Sequence, residues 1–305
     1  MNVVRRPAFA QTIERALRSF DVEPIRVLPL LTVVLLLTSA PAQWYLVGPL
    51  VALFALGVVY RRWLARPAFW YVVATLLGTT VYLNWESSDN HKYLFVYWCL
   101  ALTSALSLPR EQQAPALAQS SRWLIGLCML LAVLWKVSTP EYCSGSFFHY
   151  TLLADDRFAQ FTSLAAGVPL DQLRDNAKLV DLLREGHLTA GTSIASVVLA
   201  SSPAVNLLAL AMTWWTVAIE GLLAVLYLAP NGRRLAASRN LLLVLFAATT
   251  YLIAPVRGFG WMLMLLGLAQ CEDRDRIFRP LFLAALVLIQ IYTLPFATVV
   301  QRLTQ

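Results

Sequence analysis

Apolar residues in this chain come in runs too long and too uniform for the core of a soluble domain, broken by short polar or basic segments. A membrane-spanning helix needs about 20 mostly apolar residues. Nine stretches read as candidates: residues 26–41, 44–60, 68–85, 92–109, 122–138, 204–229, 239–255, 257–271 and 279–300. Several are short by strict counting, so flanking residues or neighbouring helices are expected to complete them. The pattern predicts an all-α fold: a polytopic membrane bundle of about nine spans, forming a single membrane domain over residues 1–305.

Composition agrees with that pattern. The chain is 59% hydrophobic and 13% charged, against about 25% charged in an ordinary soluble domain. An ordinary soluble enzyme and a disordered tail are thereby excluded. Four cysteines in 305 residues also exclude a disulfide-rich secreted module.

Charge placement gives an orientation, because basic residues are retained on the cytoplasmic side. With the N-terminus inside, the inner segments carry Arg5, Arg6, Arg15, Arg18 and Arg26, then Arg61, Arg62 and Arg66. They also carry Arg110 and Arg122, Arg233, Arg234 and Arg239, and Arg274, Arg276 and Arg279. The outer segments carry only Lys92, Arg157, Arg174, Lys178, Arg184, Arg257 and Arg302, with Lys136 left inside a span. The expected topology is therefore N-in, C-out, and the net charge of +7 is a topology signal. The basic residues flank spans and do not interleave with aromatics, which argues against nucleic acid. The expected setting is a multi-pass protein of a bacterial inner or plasma membrane, with the lipid bilayer as its main partner.

Ala40-Pro41-Ala42 after the first apolar run mimics a signal-peptidase site. The long preceding region and the immediate second span argue for retention of that run. Residues 1–25 form a cytoplasmic leader. Within it, residues 8–20 place Ala8, Phe9, Ile13, Ala16, Leu17 and Phe20 on one side and Arg15 and Arg18 on the other, the pattern of an amphipathic helix on the inner leaflet; a solvated leader is the alternative. Residues 139–203 form the one large outer-face insertion. There Pro169 at a first-turn position, with Leu170, Leu173, Ala177 and Val180 at helical spacing, predicts a helix covering the membrane mouth. No internal repeat is visible, which weakens an inverted-repeat transporter reading.

Ionisable residues inside lipid are costly and so mark candidate sites. Lys136 follows the apolar run Trp123–Trp135, about 20 Å along its span. It can snorkel to the headgroups, or sit desolvated in a pocket as a neutral amine and usable base. Glu220 lies deep in the sixth span with no cation on its own helix. It must be protonated or paired with another helix, and either a packing hydrogen bond or direct chemistry satisfies that. His91 opens the fourth span beside Asn90, where a helix N-terminus favours the neutral ring. It is either a solvated loop histidine or a proton acceptor. Cys99, Cys128, Cys143 and Cys271 form no C-x-x-C pair, the three histidines are far apart, and no metal is expected. Nucleotide-binding and zinc-protease motifs are absent.

Two stretches together resemble a known family. Asn90-His91-Lys92-Tyr93-Leu94 resembles the N-H-x-Y-L signature of the vitamin K-dependent gamma-carboxylase-like family, whose membrane part is the horizontally transferred transmembrane (HTTM) domain. Leu134-Trp135-Lys136, followed by Tyr142-x-x-Gly145 and Phe147-Phe148-His149-Tyr150, resembles that family's lysine-ended span and aromatic-x-x-Gly turn. Thr216–Gly221 resembles its glutamate-bearing span. The resemblance covers nearly the whole chain. It implies a quinol-dependent membrane enzyme, lyase- or oxidoreductase-like, in which a reduced vitamin K-like quinone is deprotonated at the outer face. Lys136 would be the base and His91, with Asn90, would position or share its proton. Asn90, Tyr93, Trp135, Tyr142, Gly145 and Glu220 would line the cofactor site, and a peptide or protein would be the substrate. Two other classes stay open: a non-catalytic membrane protein that binds or matures a peptide, and a proton-coupled transporter using Glu220.

Overall fold

A computed structural model describes residues 24–38, 44–88, 90–184, 198–230, 233–251, 253 and 257–292. The leader helix expected over 8–20 and the Ala40-Pro41-Ala42 site lie outside the described residues. Among the described residues there are thirteen α-helices and no strand. They are α1 Pro24–Thr38, α2 Trp44–Val59, α3 Pro67–Leu83, α4 Asn90–Leu106, α5 Arg110–Val137, α6 Pro140–Cys143, α7 Ser146–Ala154, α8 Ala159–Ala166, α9 Leu170–Arg184, α10 Pro203–Leu228, α11 Arg233–Tyr251, α12 Arg257–Ala269 and α13 Phe278–Tyr292. Each of the nine apolar stretches overlaps one of these helices.

Two of them, α5 and α10, are long and apolar enough to cross a membrane, at 28 and 26 residues. Within their most apolar windows only 39% and 33% of residues are buried in the protein. Leu131, Trp135, Leu207 and Val225 on these helices face outward, a surface more suited to hydrocarbon than to water. α5 also differs from expectation at its start. Residues 110–121, read from their polarity as an inner loop, are helical. Glu111, Gln112, Gln113, Ala114, Ala116 and Ala118 are strong helix formers, and propensity prevails where no packing opposes it.

The chain forms two compact units, interleaved along the sequence. The first comprises residues 1–128, 226–248 and 256–305. In it α3 and α4 pack along each other, and α12 packs against α1, α4 and α13. α12 is buried on all sides: Met262 through Leu266 are fully inaccessible, so it has no polar face to present. Gly267 permits the close approach of α13, since a Cβ there would fall 2.7 Å from the Phe282 ring. The buried Trp98 of α4 donates its indole N–H to Thr32 Oγ1 of α1 at 2.8 Å. Gln270 Nε2, just past α12, donates to Asn240 Oδ1 of α11 at 2.5 Å.

The second unit comprises residues 129–225 and 249–255. Its core gathers Tyr142, Phe148, Leu152, Leu153, Phe158, Leu173, Val205 and Ala209. The amphipathic α9 buries Leu173, Ala177 and Val180, while Asp171, Asp175 and Asp181 face out, as their spacing predicts. Leu170, expected on the buried face, is exposed, because it is the first helical residue, ahead of the stripe. Asn176 pins the chain at Ala200: its amide donates to Ala200 O and accepts from Ala200 N, both at 2.9 Å.

Candidate functional site

The C-terminal end of α5 is stopped by Pro140, which lacks the N–H needed to continue the ladder. Ser138 and Thr139 hydroxyls donate to the Leu134 and Trp135 carbonyls at 2.7 and 2.8 Å, satisfying groups that a helix end leaves open. The single turn of α6 follows. Gly145 then adopts φ +83°, a left-handed conformation that a side chain disfavours, and starts α7 in a new direction. A Cβ at Gly145 would also come within 3.1 Å of Leu210. This turn folds Tyr142 back into the core, where it is 7% exposed.

Four side chains meet there. Lys136 Nζ, from the last turn of α5, lies 2.5 Å from Glu220 Oε1 of α10. The pair is mostly buried, with side-chain exposures of 18% and 9%. Lys136 Nζ also sits 5.3 Å from the centre of the Tyr142 ring, within cation–π range. The Tyr142 and Thr216 hydroxyls are 2.7 Å apart. Thr216 donates its single hydroxyl hydrogen to Thr213 O at 2.9 Å, so it must accept from Tyr142. Thr213, Thr216 and Glu220 fall at i, i+3 and i+7 along α10 and so share a face. Two buried atoms of this stripe, Glu220 Oε2 and Thr213 Oγ1, have no hydrogen-bond partner.

The Tyr142 phenol is pushed up to about 12, chiefly by burial, with the Glu220 carboxylate adding to the shift and the Thr216 hydrogen bond opposing it. At neutral pH it is therefore a fixed donor. The chemistry that can change lies in the ion pair. Lys136 balances the Glu220 carboxylate through Oε1, and Oε2 is buried without a hydrogen-bond partner.

Of the residues singled out in the sequence, Lys136, Tyr142 and Glu220 come together, and Gly145 makes the turn that permits it. Trp135 faces outward at 77% exposure. Asn90, His91 and Tyr93 belong to the first unit. There Asn90 opens α4 and is exposed, and the half-buried His91 packs so closely on Gly258 of α12 that no Cβ would fit between them. Tyr93 OH donates to Trp85 O at 3.4 Å. Sequence reasoning missed Thr213 and the hydroxyl role of Thr216; their spacing from Glu220 was the available signal. Among the described residues no group of three His, Cys, Asp or Glu side chains could hold a metal ion. Comparison with protein-family models, curated proteins and solved structures gives no match.

Proposed function

We propose that this chain is a nine-span, N-in, C-out membrane protein of the vitamin K-dependent gamma-carboxylase-like kind, and that the Lys136–Glu220 pair takes a proton from a lipid quinol at the outer face. The observation that carries the reading is the open, buried Glu220 Oε2 beside a carboxylate oxygen already held by Lys136. The role expected of lysine alone thus passes to the pair. A hydroxyl reaching Oε2 can transfer its proton there, while Lys136 Nζ holds the charge and Tyr142, locked onto Thr216, keeps the ammonium in place. A reduced lipid quinone supplies such a hydroxyl. The donor set fits it: a carboxylate acceptor, hydroxyls, and a helix whose Leu131 and Trp135 present apolar surface to lipid. Binding of the bilayer itself is supported by the outward apolar faces of α5 and α10.

The test is aerobic oxidation of a reduced short-chain naphthoquinone by the purified protein in lipid vesicles. Glu220→Gln and Lys136→Ala are expected to lower the rate by about 100-fold or more. Full activity in both variants would overturn the assignment. Substrate flux across the vesicle without quinol consumption would move Glu220 to the proton-coupled transporter reading.

A further inference from the structure

The first unit holds a cavity of about 940 Å³ that the quinol reading does not use. Its walls come from the first turns of α1, the N-terminal half of α5, the end of α12, the connection after it and the start of α13. The lining includes apolar Ile25, Leu28, Leu117 and Ala118, three guanidiniums, Arg122, Arg276 and Arg279, and two carboxylates, Glu272 and Asp273.

The arginines are held in position. Arg122 Nη1 donates to Glu272 Oε1 at 2.8 Å and its Nη2 bonds the Gln119 side chain. Arg279 Nη2 donates to Cys271 O at 3.1 Å and lies 3.4 Å from Asp273 Oδ1, which Arg276 also meets at 3.4 Å. Arg122 and Arg279 are only 6% exposed. Charge fixed in a largely apolar wall attracts an anion more strongly than the same charge in water. A lining with three cationic and two anionic groups favours an anion, and the apolar residues of the same lining favour one with a hydrocarbon tail. Basic pockets between membrane helices on the cytoplasmic side suit phosphate headgroups. The arginines at this end are the ones that orient the chain with this side inward.

We propose that this cavity binds an anionic phospholipid, with the phosphate against Arg122, Arg276 and Arg279 and the acyl chain along Ile25, Leu28 and Leu117. The site rests on the membrane reading and is independent of the outer-face chemistry.

The test is native mass spectrometry of the full chain released from detergent micelles, titrated with phosphatidylglycerol, with phosphatidylcholine of the same chain length, or with inorganic phosphate. Phosphatidylglycerol is expected to be retained most strongly. Arg276→Gln, at a half-exposed position, should weaken it about fivefold. Ala114→Trp, from an exposed position on the rim, should obstruct the cavity without disturbing the core. Arg66→Gln, away from the cavity, should change nothing. Equal retention of the two lipids, or no response to both cavity variants, would overturn the proposal. Inorganic phosphate binding as tightly as phosphatidylglycerol would overturn the hydrocarbon half of it.

Discussion

A buried polar pair joins two elements within each unit, and the two pairs are of different kinds. In the first unit Gln270 meets Asn240, both fully inaccessible, through one amide hydrogen bond. In the second, Lys136 meets Glu220 beside a tyrosine and two threonines. Neutral amides do not exchange protons near neutral pH, so the first pair bears on packing, although Gln270 Oε1 and Asn240 Nδ2 also lack hydrogen-bond partners. An ion pair can exchange a proton, and this one leaves a carboxylate oxygen open. On the proposed reading, the difference separates a polar contact that fastens helices from one used for chemistry.

The contrast breaks most visibly at Glu220. Glu220→Ala leaves a mostly buried ammonium without its counter-ion and should cost about 3–5 kcal/mol, read from denaturant unfolding in micelles. The double variant Lys136→Leu/Glu220→Leu should recover most of that stability while quinol oxidation stays lost. Recovery of activity as well would reduce the ion pair to the status of the amide pair. The amide pair should respond less. Gln270→Leu strands a buried Asn240 amide at about 1–3 kcal/mol, and Asn240→Leu/Gln270→Leu should return close to wild type with quinol oxidation unchanged. A lasting rate defect in that double variant would show that the amides do more than fasten.

The smallest effect concerns Tyr142. Its phenol titrates at about 12 in the folded protein, above the ordinary 10.0, so its contribution to stability is complete below pH 10 and is lost as pH rises towards 12. Tyr142→Phe should lack that alkaline limb. Identical alkaline melting curves for the two proteins would place the tyrosine outside the cluster's energetics.

Much of the fold was legible because lipid-suited helices declare themselves locally. A run such as 204–229 needs no knowledge of its neighbours to be helical, and α9 was readable from Pro169 and the spacing of Leu173, Ala177 and Val180. Polarity misled at 110–121, where a hydrophilic stretch continues a helix. The site was legible in pieces. Lys136 and Glu220 each stood out as a charge inside an apolar run. Threonines in such helices usually bond back to their own carbonyls, as Thr103 does to Cys99 O, so only its spacing from Glu220 distinguished Thr216.

The sequence by itself determined helical identity, the apolar stretches and the isolation of two opposite charges, since these follow from short-range sterics and from the cost of burying charge. Only the tertiary structure decided that the two charges, 84 positions apart, neutralise one another. It also decided that a left-handed glycine turns Tyr142 onto Thr216 and that one carboxylate oxygen stays open. Partner choice across helices depends on which faces pack together, and that information is spread over the whole chain.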